Sequence, residues 1–96
     1  MQHNALPLPP VALERADATE VLRVWAAPDE GQQVMLRPAW PDPAVWGLIL
    51  VDIARHAANA YKAQGIPRNQ TLERIYEMFQ AEWQSPTDEA SPMVRQ

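Results

Sequence analysis

Asp52, Arg55, His56 and Asn59 fall within eight residues of one another in the run WPDPAVWGLILVDIARHAANAY, Trp40 to Tyr61. Asp52 and His56 are four apart and so become neighbours on one face if the run is helical, with Asn59 a turn further along. A carboxylate beside an imidazole can hold one ring tautomer and so prepare a general base. Catalysis also needs a second group, and no nucleophile motif appears; Ser85, at a helix end, is the only serine expected to be ordered. A metal centre lacks ligands too, because the other histidine, His3, stands in the N-terminal arm and a catalytic site needs about three ligands. The residues therefore read first as a polar ladder on a helix, then as a ligand contact, and last as an enzyme using Asp52 and His56. No catalytic residue, metal or cofactor is assigned.

A second constellation is Arg23, Trp25 and Arg37. Two guanidinium groups beside an indole suit a phosphate or carboxylate, or a stacked base of single-stranded nucleic acid. Against this stand an acidic net charge of −4 and only three glycines, with no phosphate-cradling loop. Nucleic acid is thus a disfavoured partner. The plainer expectations are that the arginines pair with helix carboxylates, or that this face is a dimer seam with Trp25 at its centre. The candidate ligand-binding residues are then Arg23, Trp25, Arg37, Arg55, His56 and Asn59.

The elements that position these residues follow from periodicity. EVLRVWAA (20–27) and QVMLRP (33–38) alternate, with Leu22, Val24, Ala26, Val34 and Leu36 on one side and Val21, Arg23, Trp25, Met35 and Arg37 on the other. PDEG between them holds turn residues, so the pair reads as a β-hairpin. Asp42 is expected to cap a long central helix with Pro43 in its first position. On that helix Trp46, Ile49, Leu50, Ile53, Ala57, Ala60 and Tyr61 share a stripe, while Val45 and Leu48 lie opposite. A helix apolar on both sides needs two covers. Gly47 costs about 1 kcal/mol against alanine within a helix, which suggests a close backbone approach there. Gly65 is the expected stop, followed by Pro67.

A second amphipathic helix is expected from Asn69 or Thr71 to Gln84. Leu72, Ile75, Tyr76, Phe79 and Trp83 form its inward stripe, and Glu73, Arg74, Glu77 and Gln80 its wet face. Before the hairpin, Met1 to Thr19 with its LPLPP run predicts an extended, polyproline-like arm. The fold class is α+β, in the order ββαα: arm 1–19, one domain 20–84, polar tail 85–96. Trp40, Trp46 and Trp83 are expected to supply core volume.

At 96 residues with 47% hydrophobic residues the chain is long enough for one small, marginal core. It has no cysteine, no run long enough to span a membrane and no signal-peptide pattern, which together predict a cytoplasmic protein.

The words LRVW, LRP, DPxxWGxxLxDxARHxAxAY and EWxSPTD stand here at Leu22 to Trp25, Leu36 to Pro38, Asp42 to Tyr61 and Glu82 to Asp88. Together they resemble a family of small bacterial proteins known only as a domain of unknown function, over about Pro7 to Asp88. The resemblance implies no activity, cofactor or partner. It does draw Ser85 and Asp88 into an expected turn that tucks the tail down. The function read from the residues is a small non-enzymatic homodimeric interaction or accessory module. Binding of a small anionic ligand at the Arg23/Trp25/Arg37 face or beside Arg55 and His56 comes second.

Overall fold

The computed structural model describes residues 4–86. The elements are α1 (Pro10–Glu14), β1 (Leu22–Ala27), β2 (Gly31–Leu36), α2 (Ala44–Lys62) and α3 (Arg68–Gln84). The hairpin followed by two long helices confirms the expected α+β, ββαα order. The chain forms two compact units, Met1–Asp42 and Pro43–Gln96.

In the first unit, the backbone is extended through Pro9 (φ −73°, ψ 158°), as proline-rich chain should be. The arm is not extended throughout, however. Pro10 opens a single helical turn, a place where its missing N–H costs no hydrogen bond. Arg15 follows with a forked pair to Asp17, Nε and Nη2 donating at 2.8 and 2.7 Å. Strands β1 and β2 pair antiparallel with Leu22 opposite Leu36, Val24 opposite Val34 and Ala27 opposite Gly31. Residues directly opposite share a face. The register therefore separates an aliphatic face from one carrying Arg23, Trp25, Gln33 and Met35, as alternation predicted. The turn puts Pro28 at its second position and Asp29 at φ 70° in its third, closed by Glu30 N–H donating to the Ala27 carbonyl at 3.2 Å. Those are the marks of a type II turn.

In the second unit, α2 begins at Ala44 with Pro43 as the flanking residue and no side-chain cap bond. Pro43, expected as the first helical residue, is the flanking one, and its αR backbone (φ −60°, ψ −18°) leads into the helix. The helix ends as Gly65 predicted. Gly65 takes φ 99°, its N–H bonds the Lys62 carbonyl at 3.0 Å, and the Ile66 N–H bonds the Tyr61 carbonyl at 3.1 Å. These two bonds make a Schellman ending, in which the left-handed residue turns the chain off the helix axis. Pro67 then flanks α3, so five residues (63–67) suffice to reverse the chain.

The two helices pack through small residues near that reversal. Ala58 is fully buried and Thr71 nearly so. Ala54, Ala57, Leu72 and Ile75 are half-buried around them. The expected inward stripes do not hold along their whole length. On α3, Tyr76, Phe79 and Trp83 are 61, 45 and 74% exposed, and on α2, Leu48 is 73% exposed. Leu50 and Ile53 are also uncovered, whereas Val45, Trp46 and Ile49 are half-buried. Periodicity locates an apolar face correctly but does not say how much of it finds a neighbour. Gln80, expected in water, is half-buried and bridges Tyr76 and Gln84 along α3 through bonds of 2.6 and 3.1 Å. The tail beyond Pro86, including the expected turn at Asp88, lies outside the described residues, as does His3.

Candidate functional site

The geometry of α2 sets the polar face. Asp52, Arg55, His56 and Asn59 fall within about 100° of arc and all are exposed. The imidazole of His56 turns back onto its own helix, with Nδ1 2.9 Å from the Asp52 main-chain carbonyl. A carbonyl only accepts, so in this hydrogen bond Nδ1 is the donor. The Asp52 carboxylate is 3.6 Å from Nδ1 and the two side chains are 69 and 76% exposed. An exposed pair at that distance contributes little. No group of three His, Cys, Asp or Glu residues gathers as a metal site among the described residues.

Asn59 reaches across to the next helix. Its Oδ1 accepts a 2.9 Å hydrogen bond from Nε of half-buried Arg68, tying the last turns of α2 to the first of α3. Sequence reading missed this link, because positions nine apart have no periodic relation. The only available signal was an arginine placed just after the predicted turn.

On the hairpin, Arg23 and Trp25 share a face by register, and Arg37 continues it, its N–H bonding the Val21 carbonyl at 3.0 Å. Arg23 pairs within its own unit. It forks onto Glu20, three residues earlier, at 3.2 Å through Nε and 2.5 Å through Nη2. This hydrogen bond lowers the Glu20 carboxyl below its ordinary value and raises the Arg23 guanidinium above its own. Glu20 thus occupies the position an incoming anion would take. A cleft of about 440 Å³ beside it is lined by Glu20, Arg23, Met35 and Arg37. A second, of about 620 Å³, runs between residues 4–9 of the arm and β1 and includes Trp25. A third, of about 380 Å³, lies at the helix reversal between Tyr61, Ile66, Arg74 and Met78. The Asp52–His56 pair lines none of the three.

A hairpin followed by an α-helical pair defines this as a small α+β domain recognised by its pattern. The chain belongs to the family described as Domain of unknown function (DUF5076), whose model matches residues 5–87. It is similar to a solved structure from the photosynthetic bacterium Rhodopseudomonas palustrus CGA009, described as a "putative pyruvate dehydrogenase". The two are 45% identical with a TM-score of 0.77, over 99% of this chain and 98% of that one. No match was found among the curated proteins. No helix among the described residues is long and apolar enough to cross a membrane.

Proposed function

We propose that the chain is a non-enzymatic accessory module that works as a homodimer. The observation that carries this is the state of its core: among the described residues Ala58 is the only buried hydrophobic residue, and no large side chain is fully buried. Burial of apolar surface is the main favourable term in folding, and a fully covered Leu or Phe contributes about 1.5–3 kcal/mol. A chain that leaves Leu48, Tyr76 and Trp83 mostly in water forgoes much of that term. Association with a second copy recovers it and couples stability to concentration. The cysteine-free composition supports placing this module in the cytoplasm.

The activity in the neighbour's name is not carried over to this chain. The Asp52–His56 pair faces solvent on a helix surface, and none of the three clefts joins it to a second reactive group. Sedimentation equilibrium over a concentration series tests the proposal. Twice the 10.8 kDa chain mass is expected; a well-folded monomer at high concentration overturns it.

The second reading, a small phosphate- or carboxylate-bearing ligand, is supported by the register that puts Arg23 and Trp25 on one hairpin face beside Arg37. It is weakened by Glu20, which already neutralises one of the two cations. Arg55 and His56 offer a weaker alternative site on α2.

A further inference from the structure

The cleft at the helix reversal is built by the second unit alone. It holds about 380 Å³ between Tyr61 and Ile66 on one side and α3 on the other. That volume falls in the range of about 300–1,000 Å³ typical of small-molecule sites. Local rules put each wall in place. The Schellman ending returns Ile66 to the last turn of α2 through its bond to the Tyr61 carbonyl. Gln70, Arg74 and Met78 stand four apart and so line one edge of α3. Between the walls Thr71 is buried and Ile75 half-buried, which makes these two the floor.

Three of the lining groups can donate hydrogen bonds: the Tyr61 hydroxyl, the Gln70 amide and the Arg74 guanidinium, which is a permanent cation. No Asp or Glu among the described residues lines the cleft. Arg74 does have an acidic neighbour, Glu77, which accepts a bond from Nη1 but is not part of the lining. That bond takes one of the five guanidinium N–H donors. The hairpin differs, because there Glu20 lines the same cleft as Arg23 and Arg37. In a chain of net charge −4, the reversal thus holds a cleft whose one formal charge is positive. We infer that this cleft binds a small carboxylate with an apolar body. The carboxylate meets Arg74 and Gln70, since its two oxygens match the guanidinium fork. The body lies over Ile75 between Ile66 and Met78, where it covers apolar surface that inorganic phosphate would leave wet. The site depends neither on the homodimer nor on the hairpin face.

Benzoate is the probe, titrated into the isotope-labelled full chain and followed by NMR. Saturable shifts are expected at the Thr71, Arg74 and Ile75 amides and at the Ile66 and Met78 methyl groups, with the millimolar affinity of so small a ligand. Arg74→Gln should weaken binding roughly tenfold or more, the scale of a hydrogen bond to a charged group. Glu77→Gln breaks the same ion pair but keeps the cation, so it should bind at least as well as the wild type; this separates a lost contact from a loosened helix. Benzamide, neutral and of the same shape, and inorganic phosphate, with no apolar body, should each bind roughly tenfold more weakly than benzoate. Four results would each overturn the site: no saturable shift at the cleft, shifts at Arg23 and Arg37 instead, undiminished binding in Arg74→Gln, or benzamide or phosphate equal to benzoate. The second of these would move the ligand to the hairpin face.

Discussion

Replacing Gly65 by alanine tests how α2 is ended. Gly65 holds φ 99°, and a Cβ placed there would touch nothing within 4 Å. Contact sterics are therefore removed from the comparison, and only backbone preference remains. A left-handed backbone costs an L-residue about 1–2 kcal/mol. Alanine recovers about 0.4–1 kcal/mol because its unfolded chain is less free than glycine's. The net expectation is a loss of about 1 kcal/mol, or a fall of about 4–8 °C in Tm for a domain of this size. Asparagine, which tolerates positive φ better, should lose less than alanine. Denaturant unfolding at one fixed protein concentration would measure all three chains. If Gly65→Ala were neutral or stabilising, the Schellman ending would not be part of the native state in solution. The two bonds from Gly65 and Ile66 could then not be what reverses the chain.

Other outcomes follow from the same geometry. Asn59→Ala should cost about 1 kcal/mol, since it removes the acceptor of the Arg68 bond between α2 and α3; urea unfolding checks this, and an unchanged midpoint would return Asn59 to the ligand candidates. His56→Ala should change stability by no more than about 0.5 kcal/mol, because the ring is exposed and bonds back onto its own helix. Asp17 and Glu20 both lie below their ordinary values of 3.8 and 4.5 through bonds from Arg15 and Arg23. A depressed carboxylate contributes stability above its unfolded value and loses it as pH falls through the folded one. Thermal melts should therefore decline below about pH 4.5, and Glu20→Gln should flatten part of that decline. The same Glu20→Gln change frees Arg23, so amide shifts on titration with inorganic phosphate should grow at Arg23 and Arg37 if the hairpin face takes anions. No growth would count against that reading.

Much of the local structure could be read before any coordinates. Strict alternation in LRVWAA and QQVML set both hairpin faces, because side chains leave a strand on alternate sides whatever surrounds it. PDEG and Gly65-Ile66-Pro67 marked the turns, since proline and positive-φ residues restrict the backbone locally. The positions of α2 and α3 followed from period and punctuation in the same way. The polar face of α2 was equally legible, because residues four apart on a helix must adjoin.

What the tertiary structure alone decided is which parts of these faces are covered. Apolar spacing cannot distinguish Leu72, which finds α2, from Trp83, which stays in water, for both lie on one stripe. The difference arises from where two rods approach, and that depends on the small side chains at Ala54, Ala58 and Thr71 together. The partners of polar groups were settled likewise: Arg23 went to Glu20 and Asn59 to Arg68, while His56 took its own helix's carbonyl. Periodicity is a property of one element, whereas cover and pairing belong to elements meeting in space.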